Sequence, residues 1–253
     1  MADTKTIAVC GKGGVGKTSI SALMVRQLCR KNNLRVLAID ADPAFGLATS
    51  LGATVTKTVD DIRKDLIKSL KKTRLNPDDT LHMLDYEMFG ALAETQGFAL
   101  LAIGRPEDEG CFCKVNYLLK DIISDLADRF DIVLIDGEAG FEQINRRVMK
   151  RVDHLIVVSD TSAKGVNVAG TIGHLAKNNR AVDFKSIGLI LNRVRDDSEV
   201  SEIRKRIPFD IYGWLTDDNQ IRDYDFHARP LMQMPDDSPA NRVIGDIMNA
   251  VGI

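Results

Sequence analysis

Apolar residues in this chain cluster in short, nearly continuous runs: Thr6–Cys10, Val36–Asp40, Phe98–Gly104, Asp131–Asp136, His154–Ser159 and Ile187–Asn192. None alternates apolar with polar, as a strand with one wet face does. Continuous runs predict strands buried on both faces, hence a parallel sheet between helical layers. Between them lie stretches of helical periodicity: Thr18–Arg30, Val59–Lys72, Val115–Arg129, Gly165–Lys177 and Glu199–Ile207. Within Asp60–Lys72, the residues Ile62, Leu66, Ile67 and Leu70 fall on one helical face. This alternation predicts an α/β fold, a doubly wound and mostly parallel sheet with helices on both faces. No repeat, low-complexity tract or linker divides the chain. A single domain over 1–253 is expected, its least regular part, Thr73–Gly110, being an insertion of about 73–113.

Composition narrows the classes. The 253 residues are ample for one buried core, and 44% hydrophobic with 28% charged is ordinary for a globular chain. Lys and Arg number 34 against 36 Asp and Glu, a net charge of −2, so a dedicated nucleic-acid binder is not expected. No apolar run approaches the ~20 residues of a membrane helix. Met1–Lys5 is polar, so no secretory signal is expected. The 4 cysteines are too few for a disulfide framework. A cytoplasmic protein with neither nucleic-acid nor membrane partner is expected.

The candidate chemistry begins at Gly11–Thr18, GKGGVGKT, which fits the P-loop pattern G-x-x-x-x-G-K-[ST]. It follows a predicted strand and precedes an amphipathic helix, where backbone N–H groups can wrap phosphates at a helix N-terminus. Gly11, Gly13, Gly14, Val15, Gly16, Lys17, Thr18 and Ser19 form the expected cradle of a P-loop NTPase. Lys17 is expected to hold the β- and γ-phosphates, and the Thr18 hydroxyl to bind Mg²⁺. A second lysine, Lys12, follows the first glycine. With it, KGGVGKT resembles the deviant Walker A motif of the family containing MinD, ParA, ArsA and the nitrogenase iron protein. The resemblance implies a homodimer in which Lys12 reaches the partner's nucleotide, as an arginine finger does.

Asp40-Ala41-Asp42-Pro43 ends the second predicted strand and resembles this family's switch I. The match implies that Asp42 orients the attacking water and Asp40 lies near the metal, without dividing the roles firmly. Asp136-Gly137-Glu138-Ala139-Gly140 resembles the Walker B and switch II segment. There Asp136 would contact Mg²⁺ through water, and the Gly140 amide would sense the γ-phosphate. Asn192-Arg193 resembles the family's adenine-recognising asparagine, whose amide offers both a donor and an acceptor. No NKxD guanine-reading sequence occurs, so ATP is the expected nucleotide.

Gly110-Cys111-Phe112-Cys113-Lys114 places two thiols at i and i+2. Such a pair can ligate a soft metal but cannot complete four-sulfur coordination alone. Two copies at a dimer axis would supply four sulfurs. A surface pair or a strained CxC disulfide are the alternatives. Cys10 and Cys29 read as small core hydrophobes. His82, His154, His174 and His227 show no ligand spacing and read as structural.

Gly104-Arg105-Pro106-Glu107, the segment Gly110–Asn116, the run Ile135–Gln143 and Arg146-Arg147 together resemble the CooC-type nickel-insertion ATPases, which mature carbon monoxide dehydrogenase and acetyl-CoA synthase. The resemblance runs from the P-loop past Asn192. It implies that Cys111 and Cys113 of two subunits form a Ni²⁺ or Zn²⁺ site, with a nickel metalloenzyme as client. Gly137 stands where Asn is expected in that family, and Gln143 where His is expected. Three functions follow: a dimeric ATP-hydrolysing metallochaperone, a ParA- or MinD-like positioning ATPase, and an iron–sulfur electron-transfer ATPase. The positioning reading leaves the CxC pair unexplained. The iron–sulfur reading lacks a second cysteine near Asp136-Gly137-Glu138.

Overall fold

Every apolar run becomes a strand of one sheet. The computed structural model describes residues 4–31, 33–72, 77–105, 113–137, 148, 151–178 and 183–253. Among these, the sheet has eight strands: β1 (Lys5–Cys10), β2 (Val36–Asp40), β3 (Ala93–Glu94), β4 (Phe98–Ala102), β5 (Ile132–Asp136), β6 (Arg151–Asp160), β7 (Asp183–Val194) and β8 (Asp210–Thr216). Their order is β3-β4-β2-β5-β1-β6-β7-β8. All pairs are parallel except β3–β4, so only one edge departs from the expected pattern.

The helices are α1 (Lys17–Cys29), α2 (Gly46–Leu51), α3 (Val59–Lys72), α4 (Pro77–Gly90), α5 (Cys113–Ala127), α6 (Ala163–Asn178), α7 (Asp197–Arg204), α8 (Asn219–Phe226) and α9 (Pro239–Ala250). Side chains alternate across each strand, and along the inner strands both faces are dry. Ala8, Leu37 and Ile135 join one core with Ile62, Leu66, Ile67, Leu119, Ile123 and Val166 from the helices. Ile7, Ala38 and Leu134 join the other with Leu23, Met24, Leu47, Ile244 and Met248. Cys10 is fully buried, whereas Cys29 at the end of α1 is only partly so. The Leu70 side chain lies outside the described ones.

The segment expected to be least regular carries α4, β3 and β4, together with the described part of the chain leading to Arg105. α4 hides Leu84 and Met88 yet exposes Leu81, Met83, Tyr86 and Phe89, so it lacks the one-sided pattern that identifies a helix in sequence. β8 is the outer strand and only Leu215 is buried along it, which breaks the continuous apolar run that reveals the inner strands. No described helix is long and apolar enough to cross a membrane.

Candidate functional site

Parallel strands gather their C-terminal ends at one sheet edge, where an open α/β sheet places its ligands. The end of β1 passes into Gly11, and α1 starts at Lys17. Two glycines let the loop lie this close to its neighbours. At Gly11, with φ +146°, a Cβ would come within 2.1 Å of the Val158 carbonyl oxygen on β6. At Gly16, with φ +93°, it would meet Asn192 Nδ2 at 2.3 Å. The loop is pinned from β7 as well: Asn192 Nδ2 donates to the Val15 carbonyl at 2.9 Å, and Arg193 donates to the Gly14 carbonyl at 3.1 Å.

Lys17 is 8% exposed and donates from Nζ to the Lys12 carbonyl at 3.3 Å. Lys12 itself is half-buried, and its ammonium has no partner among the described residues. Thr18 Oγ1 donates to Asp136 Oδ2 at 2.8 Å, and Ser21 Oγ donates to Asp136 Oδ1 at 2.8 Å. Gly13 and Gly14 are exposed, and Ser19 is half-buried beside Thr18. Ser21 was not among the expected residues. Its signal is helical spacing: it follows Thr18 by one turn, a polar side chain on the face of α1 that meets β5.

Asp40 and Asp136 are register partners on β2 and β5. Asp40 is fully buried and accepts from the amides of Ala48, at 3.0 Å, and Asp42, at 3.2 Å. Burial, with the nearby Asp136 and Asp42 charges, pushes its carboxyl up to about 7 against the relief of those amides. Asp136, only 1% exposed, is pushed by burial up to about 6, while Thr18, Ser21 and Lys17 favour its ionised form. Asp42 is less buried and accepts from the Ala44 amide at 2.9 Å. One sheet edge therefore holds Lys17, Thr18, Ser21, Asp40, Asp42, Asp136 and Asn192 around the loop.

Gly140 and Cys111 lie outside the described residues. Cys113 is the first residue of α5, with its side chain outside the described ones. Among the described residues there is no group of three or more His, Cys, Asp or Glu side chains able to hold a metal ion. Of the histidines, His154 shares a hydrogen bond of 2.9 Å with Ser186, and His82, His174 and His227 are exposed.

Residues 6–231 match the family model described as the CobQ/CobB/MinD/ParA nucleotide binding domain. An uncharacterized ATP-binding protein of Methanocaldococcus jannaschii is 38% identical over 248 residues, covering 97% of each chain. The carbon monoxide dehydrogenase accessory protein CooC of Rhodospirillum rubrum is 30% identical over 227 residues, covering 85% of each chain. Among solved structures, the MinC:MinD cell division protein complex of Aquifex aeolicus aligns with a TM-score of 0.73 at 18% identity, over 98% of this chain and 96% of that one.

Proposed function

The chain belongs to the CobQ/CobB/MinD/ParA family of nucleotide-binding domains, and from that premise we propose that it is a dimeric metallochaperone, an ATPase carrying a soft divalent ion, nickel or zinc, to an apo-metalloenzyme. The fold is that of a P-loop NTPase, and the family activity is ATP hydrolysis. The observation carrying the proposal is the Cys111–Cys113 pair, placed in the chain between the exit of β4, beside Asp40, and the start of α5. The likeness to the Rhodospirillum accessory protein supports it over most of the chain.

The residues divide the work by their chemistry. The P-loop amides and Lys17 neutralise the phosphates. Thr18 and Asp136 present hard oxygens 2.8 Å apart, a set that fits Mg²⁺: the Thr18 hydroxyl would bind the ion and Asp136 would hold it through water. Mg²⁺, when bound, supplies positive charge against the phosphate oxygens. Asp42 orients the attacking water. Lys12, with no described partner of its own, reaches across the dimer to the other subunit's nucleotide. Asn192 keeps a second amide hydrogen for adenine while the first holds Val15.

A MinD-like membrane role would draw on an amphipathic C-terminal helix. In α9 the apolar face is spent on the core, with Ile244 0% and Met248 1% exposed.

Anaerobic metal analysis tests the proposal. About one tightly held nickel or zinc per dimer is expected, lost in Cys111→Ser and in Cys113→Ser but kept in Cys29→Ser. Full retention in the Cys111/Cys113 double variant would overturn it.

A further inference from the structure

We propose that Arg63 is a positioning residue that ties the first turn of α5, where the cysteine pair ends, to the nucleotide-site carboxylate Asp40. The inference rests on the metallochaperone reading and gives its nucleotide coupling a physical route.

The route is a chain of hydrogen bonds between described residues. Asp40 receives the Asp42 amide on its side chain, at 3.2 Å, so the switch-like loop and the end of β2 move together. The Asp40 carbonyl accepts from the Ile103 amide at 2.9 Å, and the Ile103 carbonyl accepts from the Asp60 amide at 3.0 Å. Asp60 Oδ1 accepts from Arg63 NH1 at 3.4 Å, and Arg63 Nε donates to Asn116 Oδ1 at 3.1 Å. Asn116 is one helical turn beyond Cys113, the first residue of α5.

Burial argues that this guanidinium is placed for geometry. Arg63 is 6% exposed and Asp60 5%. Taking a charge this far from water is costly unless it is paired and fully bonded. Lys64 also pairs with Asp60 Oδ2 at 3.1 Å, so Arg63 shares this carboxylate with a second cation. The planar guanidinium has donors aimed in two directions, to α3's own carboxylate and to α5. Gly104 keeps this junction tight: at φ +81° it lies so near Thr58 that a Cβ would stand 2.8 Å from Thr58 Oγ1. A shift of Asp42 with nucleotide therefore has a continuous hydrogen-bonded route to α5.

Thiol labelling tests the link without requiring bound metal. The full chain carrying Cys29→Ser, stripped of metal by chelation, is alkylated with iodoacetamide in Mg-ADP and in Mg with a non-hydrolysable ATP analogue. Cys10, 0% exposed, stays silent. Labelling of Cys111 and Cys113 is expected to differ by ~5-fold or more between the two states, the low end of allosteric coupling. Asn116 is exposed, so Asn116→Ala spares the fold. It should bring the ratio within about two-fold while nucleotide binding persists. Asn116→Asp, which still accepts from Arg63, should keep the ratio. Arg63→Lys, which keeps the charge but not the fork, should lose it. An unchanged ratio in Asn116→Ala, the same loss in Asn116→Asp, or no difference in the parent chain overturns the link. A nucleotide-dependent ratio in a chain that binds no metal would leave Arg63 in its role and remove only the metallochaperone reading.

Discussion

Asp136 has both oxygens engaged, by Thr18 and Ser21, yet burial still holds its carboxyl near 6. A carboxyl raised in the fold favours the protonated form there. Its contribution to stability is complete below the ordinary carboxylate range and is lost as pH rises through about 6, with Asp40 following through about 7. The nucleotide-free protein should therefore lose on the order of 2 kcal/mol per carboxylate between pH 5 and 8. His154, lowered by burial, runs the opposite way, so the readout is the difference between the parent and Asp136→Asn. Melting curves across this window should show a falling stability in the parent that is shallower in Asp136→Asn, where Asp40 alone still titrates. Mg-ADP should reverse the slope, because the cation favours the ionised carboxylate. Identical slopes in parent and variant would mean that Asp136 is ionised in the empty fold. At Lys17 the expectation is simpler: Lys17→Ala removes the fixed cation on the β,γ-phosphates and should abolish turnover in a phosphate-release assay.

The elements differ in how plainly they announce themselves. β1, β2, β4, β5, β6 and β7 are inner strands with both faces dry, so hydrophobicity alone marks them. β8, at the edge, and α8, with no buried residue, spend little apolar surface and leave no periodic trace. α8 is set instead by its cap: Asp218 accepts from the Gln220 and Ile221 amides. The P-loop, Asp40, Asp136 and Asn192 were legible because each ends or follows an apolar run. Ser21 was not, because its role depends on which face of α1 meets β5. Arg63 was not legible either, since in sequence it is one more charge on a helix whose exposed face is highly charged. α9 offers a test of packing. Ile244, 0% exposed, stands against the core that α1 shares, so Ile244→Ala should cost about 2–5 kcal/mol in denaturant unfolding. A near-neutral result would detach α9 from the fold and reopen a role for it at a membrane surface.

In the proposed function Lys12 acts at the scale of the full assembly. Its ammonium has no described partner within the chain, while the loop it sits on opens at the sheet edge. Lys12→Gln should still bind ATP, hydrolyse it slowly and fail to dimerise with nucleotide. Mixed with Asp42→Asn subunits, which supply an intact Lys12 to a site that retains its own Asp42, it should recover part of its activity. Full activity of Lys12→Gln alone would place the catalytic cation within one subunit. In the proposed dimer four cysteines would meet at one axis, so nucleotide and metal would compete for, or share, one arrangement of subunits. Linkage then requires each to alter the other's affinity by an equal factor. Nickel affinity, titrated anaerobically in the ADP state and in the ATP-analogue state, reads that factor directly. A difference of ~5-fold or more, abolished by Asp136→Ala, is the predicted result. Equal affinity in both states would leave the ATPase with no thermodynamic hold on the metal, and would contradict its role as a carrier.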